Sequence, residues 1–236
     1  MAGVGREIVM KITLLIAEKV CKDYPTPEGP LSVLKGVDFS LSAGEIAFIV
    51  GRSGSGKSTL LHLLGGLDRV SEGRIFFKGN DLSLMNEKEL ALYRNKKIGF
   101  VFQFFHLLPE LTLFENVFLP TLMARSPNPG RARELIRRVG LRGREGHFPS
   151  ELSGGEQQRA AIARALVNQP EIVFCDEPTG NLDDETAEVV FGLLARLHHE
   201  TELALVIVTH DERMAHRFEK VYRLHDGVLT QDMIRT

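Results

Sequence analysis

The chain has 236 residues, of which 43% are hydrophobic and 25% charged, with 29 basic side chains against 31 acidic ones. That length can bury a full hydrophobic core, and the composition is that of a globular protein. The net charge of −2 gives no broad attraction to a phosphate backbone, so we expect no nucleic-acid partner. Cys21 and Cys175 lie far apart, which argues against a disulfide framework or a zinc site and fits a reducing, cytosolic compartment.

The amino-terminal residues are more typical of an edge strand than of a targeting segment. Apolar runs occur in the first 20 residues, but Lys11 and Glu18 interrupt them and no small-residue cleavage site follows. No run in the chain approaches the ~20 apolar residues that are needed to span a bilayer. If the protein serves a membrane, we expect another chain to cross it.

Four apolar runs predict buried strands, at residues 45–50, 97–102, 171–175 and 204–209. Their continuous β-branched and aromatic character suits a parallel sheet that is covered on both faces. Each run ends against polar residues, and ligands of such sheets gather beyond the carboxyl ends of the strands. We therefore expect the four strand ends to converge on one ligand.

The remaining segments suggest two additions to this core. Three hairpin-like stretches, at 33–45, 73–82 and 220–229, predict a smaller, largely antiparallel sheet. Between residues 104 and 160 the pattern is mainly helical, with a helix stop signal at Gly140. The sequence thus predicts an α/β core that carries a small sheet and a helical insertion.

The strand at 45–50 leads into a glycine-rich loop that an apolar helix follows. The loop reads GRSGSGKST and consists of Gly51, Arg52, Ser53, Gly54, Ser55, Gly56, Lys57, Ser58 and Thr59. Glycines let backbone N–H groups wrap phosphates, Lys57 supplies a charge to the β- and γ-phosphates, and the Ser58 hydroxyl can ligate Mg²⁺. This spacing in a strand–loop–helix setting predicts a nucleotide phosphate site, whereas a plain glycine-rich turn explains it poorly.

Polar residues at the other strand ends suggest the chemistry. Alone, the carboxylate pair Asp176 and Glu177 is usually a solvated helix start. Beside a phosphate loop, one carboxylate can hold the Mg²⁺ shell while the other polarises water. Gln103 can reach the Mg²⁺ shell and water, and His210 can bond a γ-phosphate or orient the attacking water. Tyr24 is a candidate for stacking on adenine, and an edge-strand tyrosine is an equally good interpretation.

Residues 152–166, LSGGEQQRAAIARAL, predict a helix that is entered through two glycines. A capping box explains Ser153 and Glu156, which stand three residues apart. It leaves Gly154 and Gly155 unexplained, and bare N–H groups at a helix start attract anions. Because no lysine stands beside this loop, the residues alone do not identify its ligand.

With these motifs in order, the chain resembles the ATP-binding subunits of ABC transporters over nearly its whole length. The matching segments are Tyr24, the phosphate loop, Gln103 in VFQFF, LSGGEQQ, IVFCDE, NLD at 181–183 and His210. The resemblance implies an α/β fold with a P-loop NTPase (RecA-like) core, an antiparallel β subdomain and an inserted α-helical subdomain. It implies a single ABC ATPase domain over 1–236, with core and β subdomain at 1–103 and 161–236 and a helical signature subdomain at 104–160.

The same resemblance implies ATP and Mg²⁺ as ligands, with Asp176 as Mg²⁺ partner, Glu177 as general base and His210 as γ-phosphate contact. In this family the signature loop serves the ATP that the opposite subunit of a head-to-tail dimer holds. The four signature residues then need no lysine of their own; they are Ser153, Gly154, Gly155 and Glu156. Asp183 resembles the residue that links the two sites across the dimer interface.

The implied partners are transmembrane permease subunits and a second ATP-binding subunit, expected to be another copy of this chain. The implied location is the cytoplasmic face of the inner (plasma) membrane. EPTGNLD and FQFFHLLPELTLFENVFLP are similar to the branch that contains lipoprotein-releasing, macrolide-export and cell-division ATPases, and FHLLP favours lipoprotein release. We expect Phe104, Phe105 and Leu107 to pack partly on the helical insertion. We also expect some of this surface to receive a coupling helix of the permease.

Three other functions share parts of this pattern. An ATP-driven signalling module that regulates a cell-wall hydrolase without transport would use the same catalytic residues and stays open. A soluble ABC ATPase that acts on nucleic acid or ribosomes is disfavoured by the charge balance and the single phosphate loop. A small-molecule kinase would share the phosphate loop but gives no reason for LSGGEQQ or for Glu177 beside Asp176.

Overall fold

The computed structural model describes residues 12–215, 218 and 220–232. In chain order, the strands are β1 (Thr13–Thr26), β2 (Gly29–Ser42), β3 (Ile46–Val50), β4 (Glu72–Phe77), β5 (Asn80–Asp81), β6 (Ile98–Phe102), β7 (Ile172–Asp176), β8 (Ala204–Thr209), β9 (Lys220–His225) and β10 (Val228–Asp232). The helices are α1 (Lys57–Leu64), α2 (Glu87–Lys97), α3 (Leu113–Met123), α4 (Pro129–Arg138), α5 (Gly154–Leu166), α6 (Asp184–Thr201) and α7 (Glu212–Ala215).

The larger sheet has the strand order β10-β9-β3-β8-β7-β6, and its five strands from β9 to β6 are parallel. The four predicted strands β3, β6, β7 and β8 are confirmed as neighbours in this sheet. Alternate side chains of β3 enter two different hydrophobic clusters: Phe48 and Val50 pack with α3 to α6, while Ala47 and Ile49 pack with β1, β2 and α1. Burial on both faces is the physical reason for the continuous apolar runs.

The smaller sheet is antiparallel, with the order β2-β1-β4-β5. The predicted stretches 33–45 and 73–82 lie in it. Two predictions are wrong here. The stretch 220–229 forms β9 and β10, and β9 pairs in parallel with β3 of the larger sheet. The expected edge strand is β1, which lies between β2 and β4, while residues 1–11 lie outside the described part of the chain.

The chain between β6 and β7 is helical and packs beside the larger sheet. Its helices are α3, α4 and α5, and α4 ends at Arg138 just before Gly140, which has a positive φ of 77°. Helix α5 continues to Leu166, beyond residue 160, so the predicted limits of a helical subdomain stay a prediction. Within the described residues, none of the helices combines the length and apolar character needed to cross a bilayer.

Candidate functional site

A cleft of about 690 Å³ opens where β3, β6, β7 and β8 end, so the expected convergence of strand ends is seen. Its lining residues come from the loops after these strands, from the first turn of α1 and from one residue of β2. They are Val33, Ser53, Gly54, Gly56, Lys57, Ser58, Thr59, Gln103, Glu177 and His210. The cleft thus brings together the phosphate loop, the catalytic candidate Glu177 and both polar residues predicted at the neighbouring strand ends.

The glycine-rich loop enters α1 through Gly56. Gly56 has a φ of 101°, which favours glycine, and it stands at the N-cap of α1 without a side-chain cap. Lys57 is buried, and its Nζ donates to the carbonyls of Gly51 at 2.9 Å and Arg52 at 3.1 Å. A loop with open N–H groups and a central ammonium is suited to binding an anion.

Two further details of the loop fit this use. A Cβ atom on Gly51 would lie 2.4 Å from the Leu224 carbonyl oxygen, so only glycine allows the loop to lie against β9. The Ser55 hydroxyl is buried and has no hydrogen-bond partner among the described residues. Buried polar groups are normally bonded, so this hydroxyl points to a further group or water at the loop.

The first carboxylate of the cleft, Asp176, lies beside the start of α1. Ser58 Oγ donates to Asp176 Oδ1 at 3.0 Å, across 118 residues of sequence. Burial raises the pKa of the Asp176 carboxyl, the hydrogen bond from Ser58 opposes the rise, and the negative charge of Glu177 adds to it. A cation at this carboxylate would relieve the desolvation penalty.

The donor set around Ser58 and Asp176 fits Mg²⁺ in particular. The described residues contain no cluster of three His, Cys, Asp or Glu side chains that could hold a metal. Mg²⁺ bound together with phosphates needs only one or two protein oxygen ligands, because water and phosphate oxygens complete its shell. The hydroxyl of Ser58 and the carboxylate of Asp176 are such ligands.

The second carboxylate, Glu177, is held from several sides and only 14% of its side chain is exposed. Its Oε1 lies 3.6 Å from Lys57 Nζ. Its Oε2 lies 2.9 Å from His210 Nδ1 and accepts the His210 backbone N–H at 3.2 Å. The backbone of Glu177 has a φ of 46°, an uncommon conformation for a residue with a side chain. A carboxylate fixed at the wall of a phosphate cleft can accept a proton from water.

Gln103 lines the cleft, and a residue that the sequence analysis did not single out holds it there. Gln103 Nε2 donates to Asn181 Oδ1 at 3.0 Å, and Asn181 Nδ2 donates to the Gln103 carbonyl at 3.1 Å. A Cβ atom on Gly180 would lie 2.8 Å from Gln103 Nε2. The NLD motif therefore supplies Asn181 as an anchor for Gln103, in addition to the candidate Asp183.

Tyr24 lies outside the residues that line the cleft. Its hydroxyl donates to Asp68 Oδ2 at 2.9 Å, and Lys22 Nζ lies 4.8 Å from its ring centroid. Burial and the hydrogen bond to Asp68 raise the pKa of the Tyr24 hydroxyl. The stacking of Tyr24 on adenine stays a prediction, and Val33 is the residue of the small sheet that reaches the cleft.

The start of α5 forms the predicted capping box. Ser153 Oγ accepts the Glu156 N–H at 3.3 Å, and Glu156 Oε2 accepts the Ser153 N–H at 2.9 Å. A Cβ atom on Gly155 would lie 2.4 Å from Thr186 Cγ2, so Gly155 allows α5 to approach α6 closely. At Gly154 the nearest contact would be an ordinary 3.5 Å, so packing within the chain gives no reason for this glycine.

The signature residues Ser153 to Glu156 do not line the cleft of their own chain. Asp183 stands nearby as the N-cap of α6, where its carboxylate accepts the Thr186 N–H at 2.9 Å and the Thr186 hydroxyl at 2.7 Å. The chain thus carries the cleft and, apart from it, a second helix start, at which Gly154 has room for a Cβ atom among the described residues.

Comparison with known proteins identifies the family. The family model described as ABC transporter matches residues 34–180. The chain is 47% identical over 226 residues to the lipoprotein-releasing system ATP-binding protein LolD of Idiomarina loihiensis, which covers 94% of this chain and 99% of that protein. It is 49% identical over 223 residues to LolD of Legionella pneumophila (strain Paris), with coverage of 93% and 98%.

Solved structures agree with this result. The dimeric structure of MJ0796, a bacterial ABC transporter cassette, matches with a TM-score of 0.87 and 39% identity over 94% of this chain and 100% of that one. A dimeric post-hydrolysis state of MJ0796 bound to ADP and Pi also matches with a TM-score of 0.87, at 38% identity. The fold is therefore that of a P-loop ABC cassette, and the chain belongs to the ABC transporter family as an ATP-binding and ATP-hydrolysing subunit.

Proposed function

We propose that this chain is the ATPase of a lipoprotein-releasing transporter and works at the cytoplasmic face of the inner membrane. The observation that carries this proposal is the identity of 47% to 49% with LolD proteins of several bacteria, over nearly the full length of both chains. The segment FHLLP, which follows Gln103 closely, supports the same branch of the family.

In this proposal the phosphate loop binds the ATP phosphates through its open N–H groups. Lys57, now bonded to two carbonyls of its own loop, moves its ammonium onto the β- and γ-phosphates. Ser58 and Asp176 hold Mg²⁺ with Gln103 nearby. When bound, the metal neutralises charge on the phosphates.

Glu177 is the proposed general base for the attacking water. In this structure its two carboxylate oxygens face Lys57 and His210. As Lys57 engages the phosphates, Oε1 becomes free to accept the proton of a water that lies in line with the γ-phosphate. His210 lines the same cleft and 65% of its side chain is exposed, so its ring is available to bond the γ-phosphate.

The proposed active form is a head-to-tail dimer of two copies. Each cleft then receives the signature residues of the other copy, and the open N–H groups near Gly154 face the γ-phosphate of the ATP bound by that copy. Two features support this arrangement: the signature residues lie outside their own cleft, and the similar cassette MJ0796 is dimeric. Asp183, at the start of α6, is proposed to link the two sites.

The proposed docking surface for the permease lies after Gln103. Phe104 is 68% exposed and Met123, at the end of α3, is 70% exposed, whereas Leu107 packs partly against the core. Exposed apolar anchors of this kind receive an amphipathic helix. Phe104 directly follows Gln103 in the chain, so a helix docked on Phe104 would act on the residue next to a side chain that lines the cleft.

The test is to purify the chain from its native membranes in mild detergent and to identify the proteins that remain bound. Lipoprotein release should then be measured with the reconstituted complex and ATP. We expect a multi-pass partner with a large extracytoplasmic domain and ATP-dependent release of lipoproteins. A partner tied to a cell-wall hydrolase would support the signalling alternative, and the absence of any membrane partner would contradict membrane function.

A pair of variants tests the docking surface. Phe104→Asp should abolish stimulation of ATP hydrolysis by the permease and leave the hydrolysis of the isolated chain unchanged. Val189→Asp is the matched control, because Val189 is also apolar and 52% exposed but lies on α6. Equal stimulation of both variants by the permease would show that helix docking occurs elsewhere.

A further inference from the structure

Gln158 of the signature helix α5 is a fully buried polar side chain, with 0% exposure. Its Nε2 donates to the Pro178 carbonyl oxygen at 2.5 Å. Its Oε1 is also buried and has no partner among the described residues. Burying an amide whose oxygen has no hydrogen-bond partner lowers the stability of the fold. The bond from Gln158 to Pro178 is therefore better explained by a role in activity than by a gain in stability.

The acceptor of this bond stands next to the proposed general base. Pro178 directly follows Glu177 and has no N–H group, so its carbonyl is the only backbone polar group through which it can be held. On the other side, the Glu177 N–H donates to the Val208 carbonyl of β8 at 3.0 Å. The uncommon backbone conformation of Glu177, with a φ of 46°, is therefore held by β8, by the Gly180 N–H that donates to the Glu177 carbonyl at 3.0 Å and, through Pro178, by Gln158.

The other end of this connection lies at the signature residues. Gln158 stands four residues after Gly154, which is one helical turn, so both residues lie on the same side of α5. Gly155, between them, packs closely on Thr186 of α6. A short and stiff stretch of helix thus joins the proposed contact with the ATP of the other copy to the loop that carries Glu177.

We propose that Gln158 is a positioning residue that holds Glu177 through Pro178 and ties it to the start of α5. This inference rests on the proposed roles of Glu177 and of the signature residues. When α5 closes on the ATP of the other copy, Gln158 moves with it and sets the base in its own cleft. Each copy thereby hydrolyses its ATP only after the neighbouring site has closed.

The first test replaces the amide with a side chain of similar length that cannot donate. Gln158→Met should lower the kcat of ATP hydrolysis by the full-length chain about 10- to 100-fold, because small displacements of a reacting group have effects of this size. The KM for ATP should stay within about twofold, since the phosphate loop is untouched. A kcat of Gln158→Met within about twofold of the unchanged protein would overturn the proposal.

The matched control is Gln157→Met. Gln157 is the neighbouring glutamine of α5, and its Nε2 donates to the Leu152 carbonyl at 3.0 Å, within its own helix start. This variant loses a bond of the same kind that does not reach Glu177, and its kcat should stay close to that of the unchanged protein. An equal loss of kcat in both variants would assign the effect to α5 itself and overturn the proposal.

The second test separates positioning from damage to the signature residues. In a Glu177→Gln background, which should trap the ATP-bound dimer, adding Gln158→Met should leave ATP-driven dimer formation unchanged by size-exclusion chromatography. Loss of that dimer would overturn the positioning role. If Glu177→Gln alone retains steady-state hydrolysis, Glu177 is not the general base. The proposed function of Glu177 then fails, rather than the positioning role of Gln158. Gln158→Leu takes the place of Gln158→Met if the latter does not fold.

Discussion

Helices α1 and α5 are both entered through glycines, but their first turns are satisfied in different ways. At α1, the N-cap Gly56 provides no side-chain cap, and Lys57 follows it as the first residue of the helix. At α5, Ser153 and Glu156 cap the helix start reciprocally. The two helix starts thus suit the two proposed roles, a phosphate site at α1 and, at α5, a half-site that acts on the ATP of another copy.

The largest expected effect comes from Glu177, the proposed general base of the cleft. Glu177→Gln removes the proton acceptor and should lower kcat by about 10²- to 10⁴-fold. ATP binding should persist, because the phosphate loop keeps all its donors, and the dimer should accumulate. Hydrolysis by quenched-flow or a coupled assay and dimer content by light scattering measure the two effects. Full turnover in this variant would remove Glu177 from the mechanism.

The next effect tests the phosphate-site half of the comparison. Lys57→Met keeps the buried stem and removes the ammonium, so we expect a loss of about 2–5 kcal/mol in ATP binding, or roughly 30- to 5000-fold in Kd. Titration of a fluorescent ATP analogue measures it. The signature variant Ser153→Ala serves as control and should bind the analogue normally as a monomer. Equal weakening in both variants would show that the two helix starts act on the same nucleotide of one chain.

A smaller effect distinguishes the two signature glycines. Gly155→Ala would force a methyl group against Thr186 Cγ2 and should lower the free energy of unfolding by about 1–3 kcal/mol. Gly154→Ala has room for its methyl group and should leave the stability unchanged, while it should weaken the ATP-driven dimer. Urea denaturation and analytical ultracentrifugation give the two readouts. The comparison fails if both substitutions destabilise the chain equally.

The smallest effect concerns the capping box and its dependence on pH. Hydrogen bonds from the Ser153 backbone lower the pKa of Glu156 in the folded chain. A lowered folded pKa contributes stability that is complete above the unfolded value near ~4.3 and is lost as the pH falls through the folded value. The difference in unfolding free energy between the unchanged chain and Glu156→Gln should therefore be constant from pH 7 to 5 and shrink below ~4. A constant difference down to pH 3 would contradict the shift.

Local sequence predicted the centre of the fold and of the cleft well. Strands β3, β6, β7 and β8 were readable because burial on both faces leaves continuous apolar runs, and parallel strands place their ends at one edge. Hence Lys57, Gln103, Glu177 and His210 meet in the cleft, as the spacing of the motifs suggested.

The misplaced strands and the missed contacts depend on partners that are distant in sequence. The hairpin of β9 and β10 looked like part of the small sheet because its turn signal is local, whereas its pairing with β3 joins residues more than 170 apart. The interior position of β1 depends on β4 in the same way. Likewise, the sequence around Tyr24 does not indicate that Asp68 accepts a hydrogen bond from its hydroxyl. The sequence around Gln158 does not indicate its hydrogen bond to the Pro178 carbonyl either.

The two carbonyls that hold the Lys57 ammonium have a consequence for product release. A buried ammonium that lost its phosphate without another partner would carry a large desolvation penalty, and that penalty would keep ADP in place. The Gly51 and Arg52 carbonyls offer the charge a resting position within the same loop. With Lys57 in its proposed role on the phosphates, the ammonium would return to these carbonyls when the nucleotide leaves, without first being hydrated by bulk solvent.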